Sequence, residues 1–116
     1  MAEIRKVSLA ISQREQPAQN KLIKGLERAG WYVQKTEGRS RNGFPDVTAI
    51  TPEGVVWFLE VKRERGGVLS ARQQVEMTDI ASHKANAAII IGVRGADAFV
   101  QGLPHSFRYK GLRVWR

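Results

Sequence analysis

The chain is 116 residues long, 42% hydrophobic and 26% charged, which suits one globular domain spanning 1–116 and argues against wholesale disorder. It has no cysteine, which excludes disulfides, thiolate zinc sites and cysteine nucleophiles; with no apolar run near the roughly 18 residues of a membrane span and no secretory-type apolar core in MAEIRKVSLAISQ, a soluble cytoplasmic protein without a membrane partner is expected. Nineteen Lys and Arg against eleven Asp and Glu leave a formal charge of +8, and so basic a domain fits an anionic partner, most often nucleic acid.

Met1 to Ser12 is a short lead-in, read as an added edge strand or a mobile segment. Gln19, Leu22, Ile23, Leu26 and Ala29 recur at three and four residues, the period of an amphipathic helix. Gly30 ends it, as glycine does just past a helix. Trp31 to Thr36 reads as a strand, and Glu37 to Phe44 as a polar loop. Asp46 to Ile50 is a second strand, Thr51 to Gly54 a turn, and Val55 to Lys62 a third strand. After a loop from Arg63 to Leu69, Ser70 and Gln73 form a capping-box pattern that opens a helix to about Lys84. Ala87 to Val93 is a short apolar run, expected as a buried strand. Ala96 to Gln101 suggests a short helix. The tail, His105 to Arg116, fits a small hairpin or an edge strand around Lys110-Gly111. The expected class is α/β, a mixed sheet with helices packed on it.

The chemistry concentrates in two strands. Pro45 is tolerated at the start of the second strand and fixes the backbone just before Asp46. In Glu60-Val61-Lys62 the alternation of a strand puts Glu60 and Lys62 on one face, together with Val56 and Phe58. That face is expected to pass from apolar core to two opposite charges. If the two strands pair as a hairpin, Asp46 lies beside Glu60. Two carboxylates so close raise one another's pKa unless a cation lies between them. Hard oxygen donors suit Mg2+ or Mn2+. Lys62 can orient or deprotonate a water, or neutralise charge building on a phosphate. The set suits metal-assisted phosphodiester hydrolysis.

Two further residues join by position. Glu15 continues the helical stripe of Gln19, Leu22 and Leu26 and is a candidate third carboxylate. Pro17 is tolerated only in a first helical turn, which places Glu15 near the helix entrance. Gln73 follows the site strand and can reach Lys62, the attacking water or a phosphate oxygen. Each has a plainer reading. Glu60 and Lys62 can be a surface ion pair across strands. Ser12-x-x-Glu15 and Ser70-x-x-Gln73 are both capping boxes.

The run Pro45-Asp46, Glu60-Val61-Lys62, Gly66-Gly67, Leu69-Ser70 and Gln73 resembles the VRR-NUC (virus-type replication-repair nuclease) family of the PD-(D/E)xK nuclease superfamily, over roughly Glu15 to Val93. The resemblance implies a restriction-endonuclease-like αβββαβ core and a divalent-metal-dependent nuclease. It implies Asp46 and Glu60 as metal ligands, the Val61 carbonyl completing the site, Lys62 as catalytic, and Glu15 and Gln73 as the family's helix glutamate and downstream glutamine. The loop Gly38 to Gly43 departs from the family pattern in carrying Arg39 and Arg41, which are expected as substrate contacts rather than as part of the chemistry. Stand-alone members of this size resemble phage or bacterial nucleases that act as homodimers on branched DNA.

Arg63, Arg65 and Arg72 cluster after the site and suit phosphate contacts, as does the basic tail with Arg108, Lys110, Arg113 and Arg116. Trp31, Trp57 and Phe99 are expected in the core. Trp115, flanked by arginines, is expected to stack a base or fill a dimer interface. His83 and His105 lack paired ligand spacing. The expected activity is a structure-selective endodeoxyribonuclease acting on branched DNA such as four-way junctions. A two-fold dimer would present two sites to a symmetric junction, and no small-molecule substrate is expected. The competing readings are a non-catalytic DNA-binding module on the same fold, and a nickase or flap nuclease without junction preference.

Overall fold

A computed structural model describes residues 16–36, 42–65 and 69–116. Glu15, Arg39, Arg41, Gly66-Gly67 and the lead-in Met1 to Ser12 lie outside the described residues. The elements follow as α1 (Gln16–Arg28), β1 (Tyr32–Lys35), β2 (Val47–Ile50), β3 (Val56–Lys62), α2 (Ala71–Ser82), β4 (Asn86–Ile91), α3 (Gly92–Val100), β5 (Phe107–Tyr109) and β6 (Leu112–Trp115). The αβββαβ order is present, followed by a helix and a hairpin. No described helix is long and apolar enough to cross a membrane.

The six strands form one mixed sheet in the order β1-β2-β3-β4-β6-β5. β1-β2 and β2-β3 pair antiparallel, and the short turn 51–55 between β2 and β3 suits that arrangement. β4 runs parallel to β3 after the α2 crossover. β6 then adds parallel to β4, and β5 closes the edge as an antiparallel hairpin with β6. Both readings of the tail therefore hold: it is a hairpin, and it extends the sheet.

Each face of the sheet carries its own core. On one face α1 and α3 bury Leu22, Leu26, Ala96 and Phe99 against Leu59, Val61, Ala88 and Ile90. On the other, Met77 of α2 packs on Ala87, Ile89, Leu112 and Val114. α1 ends in a Schellman motif: the Trp31 N–H donates to Leu26 O and the Gly30 N–H to Glu27 O, with Gly30 at φ +89°. Pro17 falls in the first turn of the described helix, where its missing N–H is harmless.

Three expectations change. The apolar run Ala87 to Val93 does not stay a strand to its end. Gly92, at φ +70°, turns the chain directly into α3, so Val93 is helical and the helix begins well before Ala96. The face shared by Val56, Phe58, Glu60 and Lys62 does not start in the core. Val56 is exposed and Phe58 half-buried, while Leu59 and Val61 on the opposite face are fully buried. Trp115 is not a surface residue. It is 6% exposed, meets Phe99 edge-on at 4.9 Å and donates its indole N–H to Leu103 O at 2.7 Å. Nothing can stack on it from solvent. Trp31 and Trp57 join the same aromatic cluster through Phe99, as expected.

Candidate active site

The main chain around Asp46 is fixed from both sides. Pro45 is fully buried, and its carbonyl accepts a hydrogen bond from the Thr36 hydroxyl at 2.6 Å. The Thr36 N–H donates to Asp46 O at 2.8 Å. Phe44 packs edge-on against Phe58 at 6.0 Å. Residues 44–46 are thus held at the β1 end, the carbonyl and the ring. No sequence signal pointed to Thr36, because its contribution is a contact across strands.

The register then places the carboxylates. Val47 is opposite Leu59, so one step further Asp46 is opposite Glu60. Asp46 Oδ2 accepts the Val61 N–H at 2.9 Å. The backbone of Val61 is therefore tied to one acidic residue and follows directly after the other, while its side chain is buried on the far face.

Glu60 is fully buried and Lys62 is 8% exposed. Two donors converge on a single oxygen of Glu60. Gln73 Nε2 donates to Oε2 at 2.8 Å, and Lys62 Nζ lies 3.3 Å from the same atom. Oε1 is buried with no hydrogen-bond partner. Burial first, and the Asp46 charge second, push the Glu60 pKa from 4.5 up to about 8, against the opposing pull of Lys62. A buried carboxylate with one free oxygen, facing a second carboxylate, is short of a cation. Its hard oxygen donors fit a divalent ion such as Mg2+ or Mn2+. Among the described residues no group of three or more His, Asp or Glu surrounds one point; Asp46 and Glu60 are the described acidic pair, and Glu15 lies outside.

The plainer readings of Gln73 and of the Glu60–Lys62 pair are now separable. The capping box of α2 is real: the Ser70 hydroxyl accepts the Gln73 N–H at 3.1 Å, and Gln73 Oε1 accepts the Ser70 N–H at 2.9 Å. The amide nitrogen left over reaches Glu60. Gln73 therefore caps the helix with one atom and touches the acidic site with another. The Glu60–Lys62 pair is not a surface pair, since both members are buried.

The arginines fare differently. Arg63 is half-buried and Arg65 exposed, near the end of the site strand. Arg72 is exposed but committed: its Nε donates to Asn42 O at 3.3 Å and its Nη2 lies 3.9 Å from Glu76. Arg113 is not a free surface cation either. It lies over the Trp57 ring at 4.7 Å and donates to Asn86 Oδ1, and burial then Arg108 lower its pKa.

No protein-family model matches the chain, and no curated protein matches it. A solved structure described as a VRR_NUC domain does, with a TM-score of 0.69 and 27% identity. The match covers 76% of this chain and 95% of that one.

Proposed function

Because the chain belongs to the VRR-NUC family, we propose that it is a divalent-metal-dependent, structure-selective endodeoxyribonuclease, with branched DNA such as four-way junctions as its substrate. The observation that carries this reading is the buried Glu60, with Oε1 unpartnered and Asp46 opposite. Asp46, Glu60 and the Val61 carbonyl would hold Mg2+ or Mn2+, with Glu15 as a further ligand. When bound, such an ion polarises the phosphate and makes a water acidic enough to attack near neutral pH.

The chain's own residues do the rest. Gln73 and Lys62 hold Glu60 by one oxygen and leave the other for the cation. Lys62 brings an ammonium to the mouth of the site, where it can orient the attacking water and offset charge building on the phosphate. Arg63 and Arg65, with Arg39 and Arg41, are the proposed phosphate contacts, and they position the backbone without reading sequence. A homodimer would supply the two cuts that a symmetric junction needs.

The test is cleavage of branched and duplex DNA with Mg2+ or Mn2+, with EDTA, and with Lys62→Ala. Metal-dependent cutting that Lys62→Ala abolishes is expected. Salt-sensitive binding with no turnover in either metal would instead make the chain a DNA-binding module on a nuclease fold.

A further inference from the structure

The sheet register carries the acidic site toward the opposite edge. Glu60 is level with Ile89, Ile89 with Val114, and Val114 with Phe107. These four residues form one row on the α2 face of the sheet. Three strand spacings of about 4.8 Å separate its ends, roughly 14 Å. One step along the strands Tyr109 takes the same face of β5, because strand side chains alternate.

Between these ends is a cavity of about 120 Å³. Ile89, Ile91 and Val114 line it together with Phe107 and Tyr109, and Lys62 forms its wall toward the acidic site. Lys62 is thus shared between the cavity and the carboxylates. The two aromatic rings are each 41% exposed. An engineered cavity of about 150 Å³ in another protein accepts a benzene ring, so the size here suits one six-membered ring, a pyrimidine or one ring of a purine. Lys110, at the hairpin tip, holds its Nζ 5.9 Å from the centre of the Tyr109 ring, so a second cation lies beside one of the aromatic residues that line the cavity. An apolar slot with exposed aromatic rings, one lysine in its wall and a second beside one of those rings is complementary to a nucleotide: the ring stacks and the phosphates meet the cations.

We propose that this cavity receives one unstacked base of the DNA, within a nucleotide or two of the phosphate being cut, with Phe107 or Tyr109 stacked on it. The proposal rests on the nuclease reading above and deepens it. A base can enter only if it is free of its partner and neighbours. Unpairing costs least at a branch, a flap or a frayed end. The cavity is therefore the part of the site that favours branched over continuous duplex DNA.

The experiment measures binding to forked DNA in EDTA at low salt, so that no cutting intervenes. Wild type is compared with the double variant Phe107→Ala/Tyr109→Ala and with Phe107→Leu/Tyr109→Leu. Each is tested on an intact fork and on forks carrying one abasic nucleotide at successive positions near the branch. One stacked base is worth about five- to 150-fold in affinity. We expect a loss of about tenfold for wild type at one or two adjacent abasic positions and nowhere else. The Ala variant should bind the intact fork about as weakly as wild type binds those abasic forks, with no further loss there. The Leu variant should lie near the Ala variant, because it keeps apolar area and loses the stacking face. Abasic scanning needs no protein variant, so it remains decisive if the Ala protein folds poorly. Equal wild-type affinity at every abasic position overturns the proposal. So does a variant that loses dimerisation by light scattering, which would make the aromatic pair a contact between chains. Fork binding with Lys62-dependent cleavage intact but no abasic effect would sink the cavity alone. Absence of metal-dependent cleavage would sink the nuclease reading.

Discussion

Gln73 and Glu60 are joined by a 2.8 Å hydrogen bond that ties the first turn of α2 to the acidic residue of β3. The same glutamine closes the α2 capping box with its carbonyl oxygen. Helix entry and carboxylate orientation therefore depend on one side chain. Substitutions can separate the two roles. Gln73→Ala removes both, so helix stability should fall by about 1 kcal/mol and cleavage by roughly 10- to 100-fold, the usual cost of losing a partner that orients a ligand. Gln73→Glu keeps the acceptor for the Ser70 N–H. It replaces the donor to Glu60 with a carboxylate oxygen that repels an ionised Glu60, so Tm should fall below wild type, increasingly as pH rises, while cleavage falls at least as far as for Ala. Thermal melts and initial rates on a cleavable junction check both. Wild-type rates for Gln73→Glu would leave the amide with the helix cap only.

Asp46→Asn isolates charge from shape. An asparagine oxygen can still accept the Val61 N–H that Asp46 Oδ2 accepts at 2.9 Å. The folded stability in EDTA should therefore change by less than about 1 kcal/mol. Adding Mg2+ or Mn2+ is the informative step. A ligand present at 100 times its Kd stabilises a fold by about 2.7 kcal/mol. Wild type should show a metal-dependent rise in Tm and Asp46→Asn little or none, in parallel with lost cleavage. An equal rise in both proteins would remove Asp46 from the ligand set.

The part of the site read from sequence is the part written in local order. Pro45 marks a strand start, Glu60 and Lys62 are two residues apart, and a short turn joins their strands. Those facts alone place Asp46 opposite Glu60. The rest depends on contacts that local order does not encode. Trp115 near the terminus, between Arg113 and Arg116, has the pattern of a surface residue. It is buried because β6 inserts beside β4, a pairing more than 20 residues away in sequence. An interior strand is covered on both faces, so β6 lacks the alternation that would have betrayed its depth. Gly92 reads as one more small residue in an apolar run, and only its positive φ shows that the strand ends there. The three-strand interval between Glu60 and Phe107 follows from the same non-local pairing.

Glu60 should give the metal-free protein an inverted pH dependence. In the unfolded chain the carboxyl titrates near its ordinary 4.5, and in the folded protein near 8. Between those values the native state holds the extra proton, so stability falls as pH rises through the window from about 4.5 to 8. The contribution is intact below the window and lost above it. A shift of this direction on a fully buried group amounts to a few kcal/mol in order of magnitude. Urea unfolding in EDTA from pH 4 to 9 reads it directly. Glu60→Gln should flatten the slope and be the more stable protein at pH 9. A wild-type midpoint that climbs between pH 5 and 8 more steeply than that of Glu60→Gln would contradict the assignment.

Gly95 gives a stability prediction whose sign runs against the ordinary rule. In an exposed helix interior, Gly→Ala stabilises by about 1 kcal/mol. Gly95 is buried in α3, and a Cβ there would run into the Trp115 carbonyl, with Trp115 C at 2.9 Å and Arg116 Cα at 3.1 Å. The obstacle is backbone of β6, which cannot rotate away as a side chain can. Gly95→Ala should therefore destabilise by about 1–3 kcal/mol, the range for overpacking a tight interface, and lower Tm by several degrees. Gly102→Ala is the control: it has φ +75° but nothing within 4 Å of its added Cβ, so only backbone strain is tested there. A Tm for Gly95→Ala at or above wild type would mean that α3 can lift off β6. Because β6 holds β5, and β5 carries Phe107 and Tyr109, a shift of this strand should also weaken discrimination between forked and continuous DNA while leaving the Glu60–Lys62 pair in place.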